Sequence, residues 1–215
     1  MKRIIILTVA ALVGLSACKC NEQKNNTLTK AEIADGWELL FNGKDLEGWE
    51  GAGGGKWSVD QEGNLVIESG EEREYGYLCT TRKFMDFDFV CEFNQISDGN
   101  SGLFFHSFIE GYNTVNGWQC EVAPRGCDTG GIYESYGRGW LIQIPDEKED
   151  VLKEGEWNTL RLRVEGDHVQ TWLNDVPMAD IHDEKIGSVD GQMMLQLHEG
   201  NDFMVIWRNI KIKEL

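Results

Sequence analysis

The sequence predicts an all-β domain, a sandwich or barrel of short strands, on three observations. Apolar and polar residues alternate with period two along most of the chain. The 25 glycines fall at turn spacing between those segments. Only "PDEKEDVLKEGE", residues 145–156, carries a helical pattern, and its apolar face is too short to be a major core element. In "MDFDFVCEF", Phe87, Phe89, Cys91 and Phe93 share one face, and Asp86, Asp88, Val90 and Glu92 the other. In "TLRLRV", Leu160, Leu162 and Val164 alternate with Arg161 and Arg163. "GNLVIES", "HVQTWLN", "QMMLQLH" and "MVIWRNIKIK" are equally short and bounded by Gly, Asp or Asn. Many short strands joined by glycine-rich turns in one domain require two stacked sheets or a closed one.

The chain opens with Lys2 and Arg3, an apolar run from Ile4 to Leu15, and Leu15-Ser16-Ala17-Cys18. The run is too short to span a bilayer, which takes roughly 20 residues. The pattern is that of a signal peptide, and its end resembles the bacterial lipobox, with Cys18 as the acylated residue. The expectation is therefore a signal peptide over 1–17, a lipid-anchored polar tether over 18–34, and one domain over 35–215. The protein is expected in the cell envelope, held to the membrane through its N-terminal lipid alone. Removing residues 1–17 takes away Lys2 and Arg3 and no acidic residue, so the net charge moves from −17 to −19. Such a chain has no general attraction for nucleic acid or anionic surfaces, and a neutral ligand suits it better. An apolar fraction of 41% and eight tryptophans exclude disorder for its bulk.

Five cysteines accompany Cys18. Cys79, Cys91 and Cys120 sit in apolar stretches and read as buried thiols, while Cys20 and Cys127 lie in polar ones. A Cys120–Cys127 loop is the alternative. The segment "EWNTLRLRVEGDHVQTWLNDVP" reads as a hairpin and resembles that of concanavalin-A-like and laminin-G-like jelly rolls, which narrows the expected fold to a two-sheet jelly-roll sandwich.

Three predicted strands carry unusual polar faces. In "SGLFFHS", Leu103 and Phe105 turn inward and Phe104 and His106 outward. In "GWQCEVA", Cys120 and Val122 turn inward and Gln119 and Glu121 outward. In "MMLQLHEG", Leu195 and Leu197 turn inward and Gln196 and His198 outward. A solvated face would favour Lys, Thr, Glu and Arg, whereas aromatics beside a few convergent polar groups suit a ligand cleft. "CDTGGIYESYGRGWLI" adds Tyr133, Tyr136 and Trp140 beside Glu134 and Arg138, a composition that stacks pyranose faces on rings and meets hydroxyls with charge. His168 and His182 fall near a turn and a loop and read as surface residues. "GAGGGKW" lacks the GK[ST] ending of a phosphate-binding loop and reads as a turn.

"GWELLFNGKDLEGWE", "NSGLFFHS", "GWQCEVAP", "TGGIYE" and "LQLHEGNDFMVIWRNIKIKEL", in that order over residues 36–215, resemble the 3-keto-disaccharide hydrolase family. These are bacterial jelly-roll domains, many of them lipoproteins of Bacteroides type. Many members read Gly-Tyr-Glu-x-Gln where this chain has Gly117-Trp118-Gln119-Cys120-Glu121, so the amide and the carboxylate are exchanged, and His106 stands where Arg is common. The resemblance implies cleavage or hydration of 3-keto-glucosides: a base takes the C2 proton made acidic by the C3 ketone, the enolate expels the C1 substituent, and water adds to the enone. On that expectation Glu121 or His198 is the base and the other the acid. Gln119, Gln196 and His106 hold hydroxyls or polarise the ketone, and Phe104, Tyr133, Glu134, Arg138 and Trp140 complete the binding site. No cofactor is required by any ligand spacing, although His106, Glu121 and His198 could together hold a divalent cation. The rival expectations are a glycan-binding module on the same scaffold and a conventional glycoside hydrolase with two carboxylates.

Overall fold

A computed structural model describes residues 24–200 and 202–215; the expected signal peptide and Cys18 lie outside the described residues. The chain forms β1 (Glu38–Leu39), β2 (Trp49–Gly53), β3 (Lys56–Val59), β4 (Leu65–Glu68), β5 (Gly76–Phe84), β6 (Phe87–Gln95) and β7 (Ser101–Glu110). It continues through β8 (Thr114–Val122), β9 (Ile132–Ser135), β10 (Gly139–Ile142), β11 (Asn158–Glu165), β12 (His168–Leu173), β13 (Val176–His182), β14 (Gly191–Leu197) and β15 (Met204–Glu214). These strands make two antiparallel sheets. The first runs β13-β12-β11-β6-β15-β4-β3 with β1 also on β15, and the second runs β10-β9-β8-β7-β14-β5-β2. The expected two-sheet sandwich is the observed fold.

Strand alternation supplies the core between the sheets. Phe87, Phe89, Cys91 and Phe93 of β6 are fully buried, as are Leu160, Leu162 and Val164 of β11, and they meet Leu103, Phe105, Cys120 and Val122 of the second sheet. The predicted hairpin pairs Leu160 with Leu173 and Val164 with Val169. A second, smaller apolar cluster of Tyr77, Cys79, Phe104, Val115 and Met194 lies apart from this core, on the outer face of the second sheet. Cys79, Cys91 and Cys120 are buried free thiols and Cys127 is an exposed one, so no Cys120–Cys127 bridge forms.

Two local expectations are corrected. The helical stretch is a 3-10 helix of six residues, Asp146–Val151, and its role is to carry a buried carboxylate rather than an apolar face. Glu149, fully buried, accepts from the backbone N–H groups of Gly126 (2.7 Å) and Thr129 (2.6 Å) and closes the loop that follows β8. The described end of the tether is also ordered. Asn26 exchanges hydrogen bonds with Asn209, its N–H reaching Asn209 Oδ1 at 2.7 Å and its Oδ1 accepting from the Asn209 N–H at 2.8 Å. Its amide also donates to the Gly63 carbonyl at 2.8 Å. A short helix, Lys30–Ala34, follows with a complete capping box between Thr29 and Glu32. A polar side chain that reproduces backbone pairing anchors the segment without apolar burial, a signal that composition does not carry.

Candidate functional site

A cleft of about 380 Å³ opens on the outer face of the second sheet. It is a grid in which neighbouring strands set the columns and alternate residues set the rows. In one row Glu121 of β8, Gly102 of β7, Gln196 of β14 and Tyr77 of β5 are successive cross-strand partners. In the next row stand Tyr133, Gln119, Phe104 and Met194. At the open end, His198 follows β14 with its backbone N–H on the Asn100 carbonyl (3.2 Å), and Tyr75 precedes β5.

The glycine makes the hollow. A Cβ on Gly102 would stand 2.5 Å from Gln119 Nε2, because the Gln119 side chain lies across the space that Gly102 leaves empty. From there Gln119 Nε2 donates to Glu121 Oε2 at 2.7 Å and lies 3.4 Å from Gln196 Oε1. The other carboxylate oxygen of Glu121 accepts from the Asn100 amide. Gln196 is hydrogen-bonded in turn to Tyr77. Asn100, Glu121, Gln119, Gln196 and Tyr77 thus form one continuous polar chain across four strands.

Burial dominates the electrostatics. Glu121 is 4% exposed, and desolvation pushes its carboxyl up to about 8 despite the Asn100 hydrogen bond that opposes the shift. Asp128 and Glu149 add to the upward push. Burial thus makes this group hold its proton more tightly than an ordinary carboxyl. His198 is arranged differently. Its Nδ1 lies 3.0 Å from the Glu199 carbonyl oxygen, which makes Nδ1 the protonated nitrogen. Nε2 is then free to accept, and the Tyr75 hydroxyl lies 2.9 Å from it. Burial raises the Tyr75 phenol above its ordinary range, with Glu199 adding to the effect. The cleft therefore holds a buried carboxyl that keeps its proton unusually tightly and an imidazole held between the Glu199 carbonyl and the Tyr75 hydroxyl.

Aromatic rings border these groups. Tyr133 and Trp140 are cross-strand partners, packed edge to face at 5.3 Å, and Tyr136 at the turn between their strands is 74% exposed. Flat rings beside buried polar groups suit the alternating C–H and hydroxyl faces of a sugar.

A family described as a 3-keto-alpha-glucoside-1,2-lyase-like domain matches residues 36–213. The chain belongs to the 3-keto-alpha-glucoside-1,2-lyase-like family. The domain is similar in structure to a candidate glycosyl hydrolase of Parabacteroides distasonis, with 24% identity, 89% of this chain and 100% of that chain covered, and a TM-score of 0.68. It is also similar to a galectin-like protein of unknown function from Bacillus subtilis (15% identity, 83% and 94% covered, TM-score 0.67). A third similar structure is the carbohydrate-binding module CBM66 from Bacillus subtilis (21% identity, 78% and 96% covered, TM-score 0.57). At these identities the likenesses show the sandwich fold. A search of curated proteins gave no match.

In this lyase-like domain the fold gathers Glu121, Gln119, Gln196, His198, Phe104, Tyr133 and Trp140 in the cleft, and leaves three expected residues out. His106 does not share the face of Phe104. The register shifts between Phe105 and Phe108, and His106 takes φ +44°, which turns its ring away from the cleft. Both ring nitrogens meet backbone carbonyls, Nδ1 that of Ile186 (3.1 Å) and Nε2 that of Met85 (2.7 Å), and the ring packs edge-on against Phe87. The set of His106, Glu121 and His198 consequently does not converge on one cation. Glu134 faces the inner side of its strand, opposite Trp118, and is ion-paired with Arg138 and Lys185. Arg138 also grips Asp183, at 2.8 Å and 3.1 Å. Both residues are engaged in that ion cluster rather than in the cleft.

Tyr75, Tyr77, Asn100 and Ser135 line the cleft of this lyase-like domain without having been singled out in the sequence. "YGY" does place Tyr75 and Tyr77 on one strand face, a signal that alternation could have found. Asn100 precedes its strand and carries no periodic signal.

Proposed function

We propose that the protein cleaves 3-keto-glucosides by elimination across C1 and C2. The single observation that carries this reading is the presence, in one cleft, of the buried Glu121 carboxyl and of the His198 imidazole, whose Nδ1 meets the Glu199 carbonyl and whose Nε2 faces the Tyr75 hydroxyl. Elimination needs one base and one acid. His198, its Nδ1–H on the Glu199 carbonyl, takes the C2 proton at Nε2 as the substrate displaces the Tyr75 hydroxyl from that nitrogen; the electron pair moves into the C2–C3 bond and the ketone oxygen becomes the enolate oxygen. Collapse of the enolate forms the C1–C2 double bond and breaks the bond from C1 to the glycosidic oxygen. Glu121 gives that oxygen its proton, and the aglycone leaves as a neutral alcohol. Water adding to the enone then yields the free keto sugar. Gln119 and Gln196 hold hydroxyls or the ketone oxygen, and Tyr133, Tyr136 and Trp140 stack the ring.

Family membership supports the substrate class. Glu121 is the sole carboxylate among the described residues lining the cleft, which favours this route over displacement by a carboxylate pair. Glu92, a conceivable second carboxylate, is bound to Arg208 on the opposite sheet. The lipid-anchored, cell-envelope location remains part of the proposal, on the N-terminal pattern alone.

Turnover of a methyl 3-keto-glucoside in deuterated water tests the reading. Deuterium at C2 of the hydrated product, above the level in an enzyme-free control, is expected. Cleavage without C2 label would indicate direct displacement. Binding with no turnover at all would make the protein a glycan-binding module, a role for which the exposed rings of Tyr136 and Trp140 also fit.

A further inference from the structure

A second, larger cavity of about 860 Å³ lies at the end of the sandwich and shares Ser135 and Tyr136 with the cleft. Glu121, His198, Gln119 and Gln196 do not line it, while the charged side chains of Lys83, Glu134, Lys185, Asp190 and Glu214 do. Four of the exposed large apolar side chains of the described residues gather at it: Met85 (43% exposed), Phe108 (55%), Tyr136 (74%) and Val189 (40%). Solvated apolar side chains clustered around one concavity are the usual mark of a binding site. Trp118 also borders the cavity and is 4% exposed, and its indole N–H is buried with no hydrogen-bond partner. The Lys185 ammonium stands 5.8 Å from the Trp118 ring and is paired with Glu134.

We propose that this cavity is the subsite for the aglycone, and that it selects an aromatic leaving group such as a phenol. This rests on the elimination chemistry proposed above, since it assigns the glycone to the cleft and the departing alcohol to the adjoining space. The occupant is argued from continuity: a glycoside whose sugar ring lies against Tyr133 and Trp140 extends its C1 substituent past Tyr136 toward Phe108 and Val189. The exposed side chains of Met85, Phe108, Tyr136 and Val189 at its rim suit an aromatic ring.

The test compares methyl and phenyl 3-keto-glucosides as substrates for the full chain, with Phe108→Ser and Val189→Asp, singly and together. Both residues lie outside the cleft. The double variant is expected to lower kcat/KM for the phenyl glycoside by about tenfold while leaving the methyl glycoside within about twofold. Equal losses on both substrates, or none on either, would overturn the proposal. Failure of the wild-type protein to turn over either glycoside would count against the elimination chemistry instead, and the subsite is then read separately by binding. Free phenol should shift the indole N–H resonance of Trp118, assigned with Trp118→Phe, and the double variant should abolish that shift. No shift in the wild-type protein sinks the subsite whatever the activity. A dimer that the double variant dissolves would assign the rim to contact between two copies, and would equally overturn it.

Discussion

The amide of Gln119 occupies the space that a side chain on Gly102 would need: a Cβ built there falls 2.5 Å from Nε2 and 2.7 Å from Cδ. Two residues on adjacent strands thus share one volume, and the hydrogen bond from Gln119 to Glu121 depends on the glycine. Gly102→Ala is expected to displace Gln119, lower kcat/KM at least tenfold and cost about 1–2 kcal/mol of stability. Kinetics beside chemical denaturation would show it; an alanine variant with native kinetics would mean that Gln119 has no part in the site.

Glu121 makes two pH predictions. If it acts as the acid, kcat/KM falls as pH rises through about 8, and Glu121→Gln removes that limb together with most turnover. A pH–rate profile that stays flat to pH 9.5 would exclude the role.

The same carboxyl couples to folding. Because its folded pKa lies above the ordinary 4.5, the native state holds the proton more tightly than the unfolded chain does. The stabilisation is complete below pH 4.5 and is lost as pH rises through about 8. Relative to Glu121→Gln, the wild-type protein should lose on the order of 3 kcal/mol between pH 5 and pH 9, read as the difference between two urea-denaturation series. Parallel series would show that the carboxylate is ionised and well solvated.

Tyr75→Phe removes the hydroxyl from His198 Nε2 and leaves the ring contact at 4.6 Å. A fall of about 10- to 100-fold in kcat with little change in KM is expected, since the hydroxyl orients the base rather than the sugar. A change confined to KM would make Tyr75 a binding residue only.

Asn26→Ala deletes two side-chain hydrogen bonds and orphans the Asn209 N–H, so a loss of about 2 kcal/mol is expected with kinetics unchanged. A variant as stable as wild type would show that the N-terminal segment rests on the sandwich without holding it.

Legibility differed between the fold and the site. Phe87, Phe89 and Phe93 announced their burial because alternation along a strand reports directly which face meets the core. The same logic placed Gln119, Glu121, Gln196 and Phe104 together on the outer face. It failed at His106, where a bulge broke the alternation; Gly117 and Gly191 mark the spot, as a Cβ on either would fall within 3 Å of Ser107. It failed also at Glu134, which alternation puts on the inner face but whose aromatic-rich surroundings suggested a loop over the cleft.

Sequence alone determined the all-β sandwich-or-barrel class, the core, and the strand face on which a carboxyl, two amides and a histidine collect, because period-two patterning is a local property of each strand; only a resemblance narrowed that class to two sheets. Tertiary structure alone decided that Tyr75 meets His198, that Gly102 opens the hollow for Gln119, and that Glu134 and Arg138 turn to an ion cluster instead. Those relations depend on register between strands far apart in the chain, and register is set by bulges and packing that no single segment encodes.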